Sequence, residues 1–396
     1  MKLFSQQGFG DGNKTNEGLR ANYIQGIILR PRDIQPDRIG GRYTELHSIS
    51  NDCEVLFDPQ VYAGVLFSNP NLNLGKLEEY NHVSRVILSR LESEQNIISI
   101  LRQSLEYQAS LQLDGVIAPN IMIRRSFDSR EAVIAKNFLR LAKGVHDSIN
   151  NDRPLYSSIV VHRDALSDRN ELQEFLNDIT TLEEKPDGFY VTIGANSSDA
   201  RAEIFSPDVV SGWMLINYSL KVNGFRVING YSDMLSPLLA AIGGDAGATG
   251  WWSNTRVFSL DQFVQSVGGG RLPIQRYLSK ALFNRIRFDE LRAWRGLVPE
   301  IVNGLATDSI YADDNEEPER AREVLQSWEA LNALNTETAR GNIQQNIELC
   351  ERLINQAVAM YDRIESFGLR PDQRSNRDHL EPLREGIRLF RQIAEV

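Results

Sequence analysis

The 396 residues are 41% apolar and 24% charged, which suits a soluble globular chain with one large domain and an extension, or two or three modest domains. Sixteen Phe and twelve Tyr, with abundant Leu, Ile and Val, argue against disorder. Forty-three basic residues against 53 acidic ones leave a net charge of -10, so the chain as a whole is not a polyanion-seeking surface, although a local basic patch remains compatible.

Cys53 and Cys350 are the only cysteines, with no CxxC and no Cys/His cluster, which argues against structural zinc and a disulfide framework. Met1-Lys2-Leu3-Phe4 runs straight into Ser5-Gln6-Gln7, so no signal-peptide core is read. No apolar stretch approaches the roughly 20 residues of a membrane span. The expected address is the cytoplasm, with no membrane contact.

In chain order, short β-rich runs alternate with amphipathic helical stretches up to about residue 258, the pattern of an α/β fold with parallel strands. The expected strands are Lys2–Gly8, Gly26–Arg30, Val55–Phe57, Gly115–Ala118, Ser158–Val161, Gly188–Ile193, Phe225–Asn229 and Ala246–Trp251. Helical signals fill the gaps. Ala132, Ala135, Phe138, Leu139 and Ala142 recur in steps of three and four, and Ser206-Pro207-Asp208 opens a helix that Gly224 stops. Another opens at Ser236-Pro237 and ends at Gly243-Gly244. Eight strands in about 250 residues predict a (β/α)8 TIM-type barrel. A doubly wound sheet with one face reversed also fits. The long stretch between the third and fourth strands carries an expected helical insertion at about 63–113, a candidate lid over the active face.

From Leu260 onward the pattern is read as helix alone, a helical extension over 259–396. Arg271, Arg276, Lys280, Arg285, Arg287, Arg292 and Arg295 are interleaved with Tyr277, Phe283 and Trp294. That pattern suits nucleic-acid contact or an ion-paired face, the latter favoured because the arginines are spread around the helix. An acidic linker, Asp313 to Glu319, precedes a heptad hairpin at about 318–367. Its seam is Ile343, Ile347, Cys350, Ile354, Ala357, Tyr361 and Ile364, with Leu325, Trp328 and Leu331 expected to face it. A protein partner could use these helices.

Loops at the C-terminal ends of barrel strands form the active face. There the chain supplies Asp11, Asn13 and Lys14, then Arg30, Arg32 and Asp33, then Asp58, Gln60 and Tyr62. Asn120, Arg124 and Arg125 follow, then His162, Asn196, Asn229, Tyr231, Asp233, Trp251, Trp252 and Asn254. Asp58 and Asp233, on strands across the barrel, suit an acid/base or nucleophile pair, and His162 suits proton transfer. Arg32 and Arg125 are expected to hold an anionic substrate, with Gln60, Asn229, Tyr231, Trp252 and Asn254 around it. Aspartates on the rim are compatible with Mg²⁺, whereas no HxH or HExxH pattern supports zinc. The glycines of Gly243 to Gly250 suit a phosphate cup or simple helix and strand ends. No GxSxG or Walker motif occurs.

A barrel with an all-helical C-terminal extension, rimmed by aspartates, resembles the queuine and archaeosine tRNA-ribosyltransferase group. The resemblance implies base exchange by paired aspartates through a covalent glycosyl intermediate. The zinc cysteines and the Ser-Gly-Gly-Phe-Gln stretch of that group are missing, so no residue is carried over. Two functions fit the sequence: a barrel enzyme acting by hydrolysis or glycosyl transfer on an anionic, phosphorylated or nucleotide-like substrate, or a non-catalytic barrel subunit or scaffold in a multiprotein assembly, with or without nucleic acid.

Overall fold

The first and last strands of the barrel region lie side by side, and that pairing decides between the two expected folds. The computed structural model describes residues 1–10, 12–265, 274–313 and 317–396; Asp11, Arg271 and residues 314–316 of the acidic linker lie outside the described residues. Its strands are β1 (Lys2–Gln6), β2 (Gly26–Leu29), β3 (Glu54–Phe57), β4 (Val116–Ala118), β5 (Met122–Ile123), β6 (Leu155–His162), β7 (Gly188–Gly194), β8 (Arg226–Gly230) and β9 (Ala246–Thr249). They run parallel in the order β3-β2-β1-β9-β8-β7-β6-β4, with Phe4 opposite both Gly26 and Ala248. A doubly wound sheet has no such pairing. The chain is an α/β barrel of TIM type, nearly closed.

β4 and β5 share one barrel position and both pair with β6. Pro119 has no N–H to give the ladder there. Asn120 fills the break, donating to the Ser158 carbonyl at 2.8 Å and accepting from the Ile121 N–H at 2.8 Å. The seam between β3 and β4 is bridged by Asp114, whose N–H donates to the Val55 carbonyl at 3.0 Å and whose carboxylate accepts from the Val55 N–H at 2.7 Å.

Helices α1 (Asn13–Arg20), α2 (Ile39–Ile49), α3 (Glu94–Ala109), α4 (Arg130–Ser148), α5 (Arg169–Thr180), α6 (Arg201–Ile204), α7 (Pro207–Val222), α8 (Ser236–Ala241) and α9 (Ser253–Arg256) follow in turn. The start and stop signals act as their chemistry requires. The Ser129 hydroxyl accepts from the Ala132 N–H, Pro207 opens α7, and Gly224 turns the chain out of it at φ 84°. Between β3 and α3 the chain holds only short 3-10 turns, so the expected helical insertion is one helix, α3, preceded by a loop across the barrel mouth.

Beyond residue 260 the expectation of helix alone is wrong. β10 (Arg276–Ser279) and β11 (Asn284–Arg287) form an antiparallel hairpin, followed by α10 (Phe288–Trp294). Tyr277, Leu278 and Ile286 are buried, and Arg276 and Arg285 are buried beside them, so burial on both faces erases the polar-apolar alternation that marks a strand.

The helices α11 (Arg320–Thr338), α12 (Ile343–Ser366) and α13 (Leu380–Ala394) end the chain. α11 packs on α1, β1 and α8, completing the outer helical layer between the first and seventh helices of the barrel. The heptad seam is internal. Ile347, Cys350, Ile354, Ala357, Tyr361 and Ile364 are all buried, with α12 set mainly against α8 and α13. Trp328 points elsewhere, against Gly18 and the ring of Trp251. Both cysteines are buried and unbridged. Among the described residues no helix is long and apolar enough to cross a membrane.

Candidate active site

Alternation along the strands stacks the barrel interior in layers. At the N-terminal end Glu54 pairs with Lys2 and with Arg226, the latter at 2.5 Å. Above lies an apolar layer that includes Phe4, Ile28, Leu56, Ile117, Tyr190 and Ile228. Two residues further along three of these strands stand Gln6, Arg30 and Asp58, each fully or almost fully buried.

Asp58 is the centre of this polar layer. Its Oδ2 accepts from the Tyr62 hydroxyl at 2.8 Å and from the Tyr190 hydroxyl at 3.5 Å, and its Oδ1 accepts from the Gln60 N–H at 3.2 Å. Burial pushes its carboxyl up to about 6, against the opposing pull of those hydrogen bonds and of Arg30. Tyr190 reaches across because Gly230 faces it: a Cβ at residue 230 would sit 2.4 Å from the Tyr190 hydroxyl oxygen. Arg30 stands 5.7 Å from the ring centre of Tyr231, 3.2 Å from Asp33, and donates to the Gln262 side chain.

Several polar atoms of this layer are buried without a protein partner: both amide atoms of Gln6, Nε2 of Gln60 and of Gln262, and Nε of Arg30. Each such group costs about 1–3 kcal/mol when left dry. The layer is therefore polar enough to hold ordered water or a polar guest. Gln60 (φ 53°), Tyr231 (φ 56°) and Asp233 (φ 38°) hold left-handed backbone at these strand ends, strain of the sort that concentrates where side chains are aimed for function.

An apolar cap closes the layer. Tyr62, Leu74 and Leu77 from the loop after β3 meet Phe258 and Phe263 from the segment after α9, with Met122 and Tyr231 beneath. The Tyr62 and Tyr231 rings each lie 5.1 Å from that of Phe258. The Asn73 N–H donates to the Phe263 carbonyl at 2.8 Å and ties the two segments together.

The remaining expected residues fall into separate places. Arg32 is tied to the cap, donating from Nε to the Gln262 carbonyl at 2.9 Å and lying over the Phe263 ring. Asn229 points outward into the helical layer, bonded to Trp213 at 2.7 Å and to Asn217. Trp252 lies on the surface with its indole N–H on the Phe9 carbonyl, and Asn254 sits half-buried in α9. The Gly243-Gly244 pair lies between α8 and the start of β9, at the opposite end from the mouth, so those two glycines form no phosphate cup on the active face.

Asp233 is locked. Arg285 holds it bidentately at 2.7 and 2.8 Å, and the Thr249 hydroxyl donates to it at 2.6 Å. Burial alone would raise its carboxyl, but Arg285 with Arg256 and Arg201 holds it well below the usual carboxylate range. Asp58 and Asp233 stand across the barrel, as expected, but in different hydrogen-bond networks. Arg276 and Arg287 likewise pair within the chain, with Asp372 and Asp289, so that with Arg285 three residues of the basic run are ion-paired intramolecularly.

His162 and Arg125 line a cavity of about 270 Å³ at the ends of β5, β6 and β7, together with Met122, Arg124, Asn196 and Asp261. Arg124 and Arg125 are exposed on its lip, and among the described residues neither has a hydrogen-bond or ion-pair partner. His162 Nδ1 lies 3.2 Å from Asp164. Met122 belongs both to this cavity and to the cap, so the cavity abuts the cover of the Asp58 layer. Larger clefts lie among the outer helices, away from the strand ends. Among the described residues no three His, Cys, Asp or Glu side chains cluster to hold a metal ion.

Strand-end position placed Arg30 on the rim without assigning it a role, and did not bring in Gln6, Tyr190 or Gln262. Three of these had a signal: Gln6 and Arg30 stand two residues beyond inward-facing Phe4 and Ile28, and Tyr190 is inward on β7. Gln262 had none.

No known protein family matches the sequence, and no curated protein does. Among solved structures, a glycosyl hydrolase of the GH3 family from Mycobacterium smegmatis is similar at 11% identity over 62% of this chain and 82% of that one, with a TM-score of 0.39. The carboxyl transferase domain of Rhizobium etli pyruvate carboxylase is similar at 10% identity over 85% of this chain and 48% of that one, with a TM-score of 0.36. Such distant likenesses concern the fold alone, and they assign no activity.

Proposed function

We propose that this protein is a barrel enzyme that encloses a small anionic substrate at the strand ends and acts on it by hydrolysis or glycosyl transfer. The unpartnered polar atoms around Asp58 carry this reading, because they offer amide and guanidinium donors to a guest beside one titratable carboxyl. A carboxyl near 6 holds both protonation states in useful amounts at neutral pH, so Asp58 can give a proton to a leaving group and take one from the incoming nucleophile. Arg30 holds the negative charge, a role that suits a phosphorylated or nucleotide-like substrate. The aromatic cap keeps bulk water out, and the cavity at Arg125 and His162 is the way in. A paired-carboxylate mechanism would draw its second acid from Asp33, which flanks Arg30 together with Asp58, rather than from the locked Asp233.

The test is release of nitrophenol from p-nitrophenyl phosphate and p-nitrophenyl glycosides. Turnover that falls at least about 100-fold in Asp58→Asn, with an unchanged circular dichroism spectrum, is expected. Equal turnover in both proteins contradicts the reading. The closed cap favours the second reading, a non-catalytic subunit, which predicts no turnover and no change in any binding property in Asp58→Asn.

A further inference from the structure

We propose a second anion site, for a phosphate-sized oxyanion, on the rim sector at the ends of β7, β8 and β9, formed by Arg201 and Arg256 beside the Arg285–Asp233 pair. These three adjacent strands bring Arg201, Asp233 and Arg256 to one stretch of the rim, and the β10–β11 hairpin lays Arg285 against it from outside. Arg276 is within charge range of both Arg201 and Arg256.

The charges do not balance. Four guanidinium groups share this half-buried place with three acids, Asp233, Glu323 and Asp372. Asp233 is saturated by Arg285 and Thr249, and Asp372 belongs to Arg276. Glu323 is 3.9 Å from Arg256, and burial raises its carboxyl, which weakens it as a counter-charge. Arg201 is left over. Among the described residues its side chain has no hydrogen bond or ion pair, and its Nε is fully enclosed without a partner. Burial, with Arg285 as the next cause, lowers its guanidinium to about 9, so it still carries its charge at neutral pH. A partly buried charge with no counter-ion is unfavourable, and an oxyanion with several acceptor oxygens lowers that cost by accepting from Arg201 and from the outer N–H groups of Arg256. The site does not involve Asp58 and stands or falls apart from the proposed reaction.

Isothermal titration of the whole protein with inorganic phosphate, and separately with glycerol 3-phosphate, tests the site, with sodium chloride of equal ionic strength as the control. The expected result is binding that weakens at least about tenfold in Arg201→Gln and partly in Arg201→Lys, which keeps the charge and loses the fork. The tighter of the two probes tells whether the site takes free phosphate or a phosphoryl group. Without phosphate, Arg201→Gln should melt no lower than the parent, because it relieves repulsion. Absence of phosphate binding by the parent, or equal affinity in parent and Arg201→Gln, overturns the proposal. Affinity lost in Arg30→Gln but kept in Arg201→Gln also overturns it and places the phosphate in the Asp58 layer, leaving the proposed function standing.

Discussion

The Tyr62 hydroxyl donates to Oδ2 of Asp58 at 2.8 Å, joining the floor of the barrel mouth to its cap. Tyr62 also packs edge-on against Phe258 and Phe263, so whatever moves the cap also loosens a hydrogen bond on the carboxylate. Opening of the cap and the proton affinity of Asp58 are therefore coupled.

This coupling has a stability signature. Well below its ordinary value of 3.8 the Asp58 carboxyl is protonated in the folded and unfolded chain alike. Between its ordinary value of 3.8 and the folded value of about 6, the folded form keeps a proton that the unfolded form loses, so stability falls as pH rises. The loss approaches about 3 kcal/mol by pH 7. Urea unfolding of the parent and of Asp58→Asn should show their stability difference moving by about 2 kcal/mol in favour of Asn between pH 4 and 7.5. A constant difference would refute the burial argument.

Asp233 has the opposite character. Removing it leaves Arg285 buried and unpaired, and Asp233→Ala should cost about 3–5 kcal/mol. The double variant Asp233→Ala with Arg285→Met should be more stable than Asp233→Ala alone, as measured by thermal melting. A single variant that melts like the parent would show that the pair does not hold the hairpin to the barrel.

Arg125 and Arg32, alike in sequence position, should part company. Arg125→Ala removes an exposed, unpartnered guanidinium and should weaken anion binding with melting nearly unchanged. Arg32→Ala removes a hydrogen bond to the cap and a cation over Phe263, and should cost about 1–2 kcal/mol. Reversal of the two effects would exchange their roles.

In the tail, Ile354→Asp places an unpaired carboxylate in a fully buried seam and should cost several kcal/mol, on the order of 3. Because the seam lies against α8 and α13 of the same chain, light scattering should report an unchanged mass. A halved mass would show that the seam joins subunits.

The eight barrel strands were legible because each is a short apolar run between helix stop and start signals, as at Gly224 before β8 and Gly243 before β9. The hairpin was not, because Arg276 and Arg285 are buried by ion pairs formed with Asp372 and Asp233, nearly a hundred and about fifty residues away. The same limit applies to the site. Strand-end position pointed to Arg30, Asp58, Gln60 and Tyr231, and alternation of two points to Gln6. Nothing local marks Gln262, which reaches Arg30 only after the chain has gone once around the barrel. Asn229 misled because its strand-end position is real while its side chain faces the wrong side of the wall.

Asp58 is a fully buried acid, and burial pushes its carboxyl up to about 6. Difference infrared spectroscopy of aspartate-labelled parent protein against Asp58→Asn follows its carbonyl directly through a pH titration. The structure predicts a protonated carboxyl with a midpoint near 6. A midpoint at the ordinary aspartate value of 3.8 would contradict it.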